Sequence, residues 1–417
     1  MAKKNLVLLT KQYPFHHKEQ YITNELLALS KVYDKIYIYP CEHFNTDYPL
    51  VYSLPENAEL IDLNLSSPLI HTSFRKEWWL KFITTYLGEL AFNKHKLHVL
   101  KEFKRYYSAY AVNYSQGMAL LDFLKKNNVK VEETTFYSYW FSNLALCLSL
   151  LKQKGDIKHF YSKSHAIDMY HEDWSLVESN SLNVPLYKKF KTDSIDQIFP
   201  ISAHGERYLK REFSGISTKI FYLGAEEFPS SESKHSGEVF TLVTCSNIDL
   251  RKRVYRLGEA LSLIKRPVKW VHFGGGTDEM EQMVKDAVKS PLVQLELKGQ
   301  ALNAEIRQFY ASNRVDVFVN LSKAEGVPVA IMEAIAHGIP VLATDVFGTP
   351  EVAVKDVSGK LIPTDFTNEQ LSDAITWFIE HPEEVDVLRV GARKLFEERF
   401  DAHKNHAEFA NYLVSLP

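Results

Sequence analysis

Ser322–Glu351 reads SKAEGVPVAIMEAIAHGIPVLATDVFGTPE. Pro328 suits the first turn of a helix, because the amide it lacks would have no intrahelical partner there, and Gly338 suits the left-handed position just past a helix end. The spacing predicts a helix from about Val327 to His337, followed by a short buried strand at Pro340–Thr344. An apolar helix leading directly into an apolar strand is one step of a βα series, and such series build parallel sheets.

The same alternation continues on both sides. Strands are expected at Val239–Cys245, Val268–Phe273, Leu292–Leu297, Val315–Asn320 and Lys360–Ile362, with amphipathic helices between them. Thr367 and Gln370 form a capping box for a helix bearing Leu371, Ile375 and Phe378, and Pro382 stops it. Upstream, Ala225–Glu238 is polar and Ser-rich, as a linker is. Before it a separate series is expected, with strands at Leu6–Thr10, Lys35–Tyr39, Thr135–Tyr139, His159–Ser162, Gln197–Ser202 and Lys219–Leu223. The chain of 417 residues is long enough for two cores. The expected division is residues 1–227, residues 228–395, and a terminal helical segment, 396–417, packing back toward the first domain. Two doubly wound α/β domains place ligands at the carboxyl ends of their strands, and hence in a cleft between them.

Bulk composition narrows the function. Lys plus Arg number 49 against 52 Asp plus Glu, a net charge of −3, so no whole-molecule attraction for nucleic acid is implied. Residues 1–227 hold 28 basic and 25 acidic side chains, leaving 21 and 27 for the rest, so the first half leans basic. Three cysteines, Cys41, Cys147 and Cys245, form neither a disulfide framework nor a zinc pattern and fit a reducing cytoplasm. The apolar run after Met1-Ala2-Lys3-Lys4 covers only Leu6–Leu9, short for a signal peptide, and no segment approaches the roughly 20 apolar residues of a spanning helix.

Glu325 lies just before the expected helix, and Glu333 lies five residues after Pro328, roughly 7.5 Å along the axis. The amides of Gly326 and Val327, with the helix dipole, suit a phosphate or sugar hydroxyls. A carboxylate accepts two hydroxyl hydrogens at once, so an extended nucleotide-sugar can offer its sugar to Glu325 and its ribose diol to Glu333. A glutamate pair at this spacing alone is most simply a solvated helix surface; the combination with its flanks points further.

E-x7-E with Gly and Pro inside it, followed by A-x-A-x-G-x-P-V (Ala334–Val341), resembles the signature of the family 4 retaining glycosyltransferases. The resemblance implies a GT-B fold, an α/β architecture of two Rossmann-like domains with an interdomain cleft, and transfer of a sugar from a nucleotide-diphosphate donor with retention of anomeric configuration. It also implies a lysine grip on the donor diphosphate at Lys252. The arginine that usually accompanies that lysine falls at Asn247, a departure that weakens the expected phosphate clamp or hands part of it to Arg251 or Arg253; a solvated basic turn is the plainer reading of Arg251–Arg253. Lys298-Gly299-Gln300 resembles the strand end that meets the nucleotide base, and Ser164–Asp168 resembles the segment whose histidine, here His165, reaches the donor sugar. The paired glycines the family often carries near the diphosphate are missing from Lys11–Gln20 (KQYPFHHKEQ).

Resemblance therefore makes Glu325, His165 and Lys252 the catalytic candidates, and Asn247, Arg251, Lys252, Gly299, Gln300, Gly326, Val327, Pro328 and Glu333 the donor-binding ones. His272–Gly276 is a glycine-rich turn that serves either phosphate or tight packing. No D-x-D pair stands at a strand end, so neither metal nor other cofactor is expected, and the spacing of His165, His171, Glu172 and Asp173 fits no zinc site. The expected partners are a nucleotide-sugar and a glycan, lipid-linked or protein-linked acceptor.

Phe74–Tyr107 holds eight Lys or Arg against three Glu, interleaved with aromatic residues. Such a stretch suits an anionic bilayer, so the expected location is the cytoplasm with the inner face of the membrane as a candidate surface; its plainer reading is a helical pair with a solvated basic face. The rival for the whole chain is a catalytically silent GT-B subunit that stabilises another transferase.

Overall fold

The sequence folds into two sheets of identical strand order, each parallel throughout. This is a computed structural model, and it describes residues 5–15, 19–42, 50–61, 76–93, 96–169, 186–227 and 239–417. His171, Glu172, Asp173 and most of the Ala225–Glu238 stretch lie outside the described residues.

The first half contains β1 (Asn5–Thr10), α1 (Ile22–Leu29), β2 (Lys35–Pro40), β3 (Ala58–Leu60), α2 (Lys76–Phe92), α3 (Lys96–Lys101), α4 (Phe103–Lys126), β4 (Thr134–Ser138), α5 (Asn143–Lys154), β5 (Tyr161–Ser164), α6 (Ala166–Met169), α7 (Lys188–Ser194), β6 (Gln197–Pro200) and α8 (Ala203–Glu212). Its sheet runs β3-β2-β1-β4-β5-β6. β1 is buried from Leu6 to Thr10, and both its neighbours pair with it in parallel. That double burial is why the strand reads as an unbroken apolar run.

The second half contains β7 (Phe240–Cys245), α9 (Val254–Leu261), β8 (Val268–Phe273), α10 (Asp278–Ala287), β9 (Val293–Leu297), α11 (Asn303–Ser312), β10 (Val317–Asn320), α12 (Val329–Ala336), β11 (Val341–Thr344), β12 (Gly359–Ile362), α13 (Asn368–Glu380), α14 (Pro382–Leu395) and α15 (Ala402–Ser415). Its sheet runs β12-β11-β10-β7-β8-β9. Each sheet reverses direction beside its first strand, between β1 and β4 and between β7 and β10. The carboxyl ends of those strands are the topological switch points where open α/β sheets bind ligands.

α15 crosses back to the first domain. Phe409, Ala410 and Leu413 are buried among Leu6, Ile22, Leu26 and Phe199. Beneath them a fully buried Glu25–Lys163 ion pair is joined by Tyr137, whose hydroxyl donates to Glu25 at 2.7 Å, and by His406 of α15 at 3.4 Å. Lys163 pulls the Glu25 carboxyl down to about 2, although burial alone would raise it. A buried charge left unpaired is costly, so this network ties the terminal helix to one register on the first domain.

Several expectations shift. The Thr367–Gln370 capping box is present at α13. Lys219–Leu223 is not a strand: it lies along β6 through a bridge at Thr218 and the amides of Lys219 and Phe221, but forms no continuous ladder. β3, only three residues long, lacked an apolar run to announce it. β5 starts two residues later than the apolar pattern suggested, at Tyr161.

Candidate active site

The loop after β7 presents Lys252. Asp249 accepts the amide of Lys252 at 2.7 Å through its side chain and the amide of Arg253 at 3.1 Å through its carbonyl, winding the turn tightly. Arg253 then takes φ 53°, a costly conformation for a residue with a side chain. Its guanidinium compensates by donating to the carbonyls of Leu321 at 2.7 Å and Thr364 at 2.6 Å while lying over the Phe366 ring. Buried, with each of its three nitrogens directed at a backbone carbonyl, Arg253 acts as a structural strut between the two loops. Arg251 faces Asp249 at 3.7 Å and the Ala324 carbonyl at 3.5 Å.

The loop after β10 presents Glu325. Ser322 is fixed by the Asn320 side chain on its amide and by Thr344, whose hydroxyl donates to the Ser322 carbonyl at 2.6 Å. The Ser322 hydroxyl in turn donates to Glu325 at 2.7 Å, and Lys252 pairs directly with the same carboxylate oxygen. The Lys323 amide donates to the Arg251 carbonyl at 2.9 Å, so the two loops are zipped together across the switch point. Glu325 is only 8 % exposed. Burial pushes its carboxyl up, but Lys252, the Ser322 hydroxyl and Arg251 together outweigh that and hold it below the ordinary range.

Glu333 behaves oppositely. It lies on α12, 5 % exposed, and burial raises its carboxyl to about 7, with Arg307 pulling down and Glu226 pushing up. Arg307 is drawn off by Glu226 at 2.8 Å. The helix is shorter than expected: it begins at Val329, with Pro328 extended as its cap residue at ψ 116°, so Gly326 and Val327 belong to the preceding loop and not to its first turn. Neither of their amides donates to another described residue.

Lys252, Glu325 and Gly326 are therefore brought together, while Glu333 stands further along α12. Gly299 and Gln300 form a separate lip. Gly274 at φ 117° donates its amide to the Gly299 carbonyl at 2.8 Å, and a Cβ on Gly274 would sit 1.9 Å from the Ser246 carbonyl. The glycine-rich turn His272–Gly276 thus serves close packing against the β7 loop. Asn247 is exposed at the rim of that loop.

Across the cleft, Ala166 approaches Gly326, whose added Cβ would lie 3.2 Å from the Ala166 Cβ. The neighbouring His165 is 7 % exposed, with its ring 4.3 Å from Trp140 and 5.1 Å from Tyr139 between centroids. Burial first, then Lys163, lowers its imidazole to about 3, so it is neutral at physiological pH. Its Nε2 is buried with no hydrogen-bond partner. The glycine-free loop after β1 is organised by a residue not singled out in the sequence: Glu19 accepts the amides of Gln12 and Tyr13, each at 2.6 Å, that of Lys11 at 3.4 Å, and the Trp140 indole at 2.6 Å. Ser322 was equally unmarked, because a serine before a turn carries no signal of its own.

Residues 226–395 match the family model described as glycosyl transferases group 1. Among curated relatives, the amylovoran biosynthesis glycosyltransferase AmsK of Erwinia amylovora is 30% identical over 149 residues, 34% of this chain and 36% of that protein. The chain thus spans about a third of the length of that relative. Two solved structures share the whole fold. A sucrose-phosphate synthase from Thermosynechococcus elongatus matches with TM-score 0.74 at 15% identity, covering 98% of both chains. HepE of Anabaena, solved with UDP and glucose, matches with TM-score 0.64 at 14% identity over 99% of this chain and 100% of that one. With the Glu325–Glu333 segment inside the matched region and both sheets accounted for, residues 226–395 are similar to the glycosyl transferases of group 1, and the chain as a whole has the GT-B fold.

Proposed function

We propose that the chain transfers a sugar from a nucleotide-diphosphate donor, a UDP- or GDP-sugar, to an acceptor in surface polysaccharide or glycoconjugate synthesis, with retention of configuration and without a metal. The observation that carries this reading is the buried Lys252–Glu325–Ser322 constellation at the β7/β10 switch point, within the matched family region. The UDP and glucose bound by HepE and the amylovoran biosynthesis in the name of AmsK point the same way.

In this reading the donor diphosphate competes with Glu325 for the Lys252 ammonium, with Arg251 alongside, and the Gly326 and Val327 amides meet donor oxygens. Glu325, held ionised, then faces the sugar hydroxyls and the positive charge that develops on the ring. The bond from the anomeric carbon to the phosphate oxygen breaks while the acceptor oxygen bonds on the same face, and the departing phosphate takes the acceptor's proton. Neutral His165 offers one ring nitrogen to the donor sugar. Glu333 receives the ribose diol, and Gly299 and Gln300 line the base.

Nucleotide release from UDP-, GDP- and ADP-sugars in excess chelator is the test. Turnover should survive chelation, and Lys252→Ala should weaken donor binding at least tenfold by calorimetry. Activity abolished by chelator and restored by manganese, or unaltered binding in Lys252→Ala, would refute the reading.

The acceptor is proposed to be presented at an anionic bilayer. On α2 and α3, and at the start of α4, Trp79, Leu80, Leu87, Leu97, Leu100 and Phe103 are exposed beside Lys81, Lys96, Lys101 and Lys104. Trp78, Phe82 and Tyr86 supply the buried face of α2; Trp79 and Phe103 edge onto those rings, while Leu80, Leu87, Leu97 and Leu100 point outward. Among the described residues no helix is long and apolar enough to cross a membrane. Exposed apolar side chains ringed by lysines suit the headgroup region, each basic group contributing about 1 kcal/mol. Sedimentation with anionic vesicles should exceed that with neutral ones, and replacing Lys101, Lys104 and Arg105 by Glu should remove the difference. Equal recovery with both vesicles would return this surface to an ordinary solvated face.

A further inference from the structure

The first turn of a helix leaves its leading amides without intrahelical partners. In α8 these are satisfied from two domains. Ser202 caps its own helix, accepting the Gly205 amide at 2.9 Å through its hydroxyl and the Glu206 amide at 3.0 Å through its carbonyl. The amides of Ala203 and His204 instead donate to Oε2 and Oε1 of Glu351, each at 2.8 Å, and the Tyr222 hydroxyl donates to Oε2, the oxygen shared with Ala203, at 2.8 Å. Glu351 lies in the second domain, in the short 3-10 turn Thr349–Glu351 that follows β11.

The same turn reaches the site. A Cβ on Gly348 would stand 1.9 Å from the carbonyl oxygen of Gly326, the residue after Glu325. Gly326 in turn abuts Ala166, the residue after His165. The adjoining Phe347 lies against the His204 ring, tilted, at 5.3 Å between centroids and packs on the first domain's core. One six-residue stretch, 346–351, therefore grips α8 with its acid and backs the Glu325 loop with its glycine.

We propose that Glu351 is a positioning residue for the transfer reaction. By capping α8 from across the cleft it holds the His165–Ala166 edge against Gly326 and so sets the spacing between the groups of the first domain and Glu325. The inference rests on the reading of Glu325 as the donor-sugar residue. A full negative charge on a helix N-terminus is favourable, and a carboxylate has an acceptor for each of the two amides. Glutamine keeps one acceptor oxygen and places an amide group where the other was, so it should hold the contact only in part.

The test uses the full chain carrying a spin-label pair on the exposed Lys125 and Asp286 positions, one in each domain. The parent should give one narrow interdomain distance, Glu351→Ala a longer and broader one, and Glu351→Gln an intermediate one. In the same variants donor affinity should stay within twofold of the parent while turnover falls about tenfold or more for Ala and less for Gln, a split that mere loss of stability would not produce. Unchanged distance distributions in both variants would overturn the proposal without reference to any substrate. Altered distances with parental turnover would overturn the positioning role. If the parent neither binds nor cleaves a nucleotide-sugar, the donor-site reading fails instead, and the distances alone decide whether Glu351 holds the domains.

Discussion

The two switch points have one topology and different loops. After β7 and β10, backbone bonds and the Arg253 strut zip two loops together so that a lysine and a glutamate meet at their tips. After β1, the equivalent loop spends three consecutive amides on the internal carboxylate of Glu19, which also takes the Trp140 indole from the loop after β4. Both places bury an acid, but one acid is set against a mobile-chain cation that a ligand can compete for, and the other is locked to backbone. Sheet order fixes where a ligand can lie; loop chemistry decides which sheet end holds charge available to it.

The sharpest way to break this contrast is charge removal at Glu325. In the proposed reaction positive charge grows on the sugar ring only as the glycosidic bond opens, so the carboxylate acts more strongly on the transition state than on bound donor. Glu325→Gln keeps size and an acceptor oxygen. Turnover should fall on the order of 100-fold, about 2.7 kcal/mol, with donor affinity nearly unchanged. Weaker binding with normal turnover of the bound complex would make Glu325 a binding group only.

The matching substitution in the first domain should act on stability. Glu19→Gln turns an amide group toward donors that now meet a carboxylate, leaving at least one of them unsatisfied in a buried site. A loss of about 2 kcal/mol follows, a fall of roughly 4–8 °C in melting temperature. Donor affinity should remain within twofold. A tenfold loss of donor affinity with an unaltered melt would show that this loop contacts the donor after all, and the contrast would fail.

The contrast also explains what could be seen in the sequence. Strands buried on both faces announce themselves as apolar runs, so eleven of the twelve expected ranges lie on strands of the two sheets, while three-residue β3 and the edge segment Lys219–Leu223 were misjudged. The Glu325–Glu333 segment was legible because proline, glycine and alanine are each demanded by local backbone or packing. The Lys252–Glu325 pair was not, since residues 73 apart in sequence meet only through tertiary folding. Nor were Glu19 and Glu351, whose partners are backbone amides, invisible to any side-chain motif. Arg253 shows the converse: a basic turn reads as solvated or phosphate-binding, yet its guanidinium is consumed by carbonyls that only the folded loops bring near.

Glu333 gives the smallest effect and separates the two glutamates of the motif. Burial, chiefly, pushes its folded carboxyl up from the ordinary carboxylate value of 4.5 to about 7. The native state therefore keeps a proton that the unfolded chain releases, and stability falls as pH rises from about 4.5 through 7. Glu333→Gln should flatten that slope. Donor binding should run the other way, because a ribose diol is best received by the ionised form, which is about a tenth of the population at pH 6 and nine-tenths at pH 8. Apparent affinity should accordingly strengthen close to tenfold, about 1.4 kcal/mol, between those pH values, with uptake of donor releasing a proton to buffer. Calorimetry in two buffers of different ionisation heat reads both quantities. In Glu333→Gln the affinity should be weak and independent of pH across this range. The same pH dependence in parent and variant would assign it to another group, and Glu333 would then be a buried acid of α12 with no part in holding the donor.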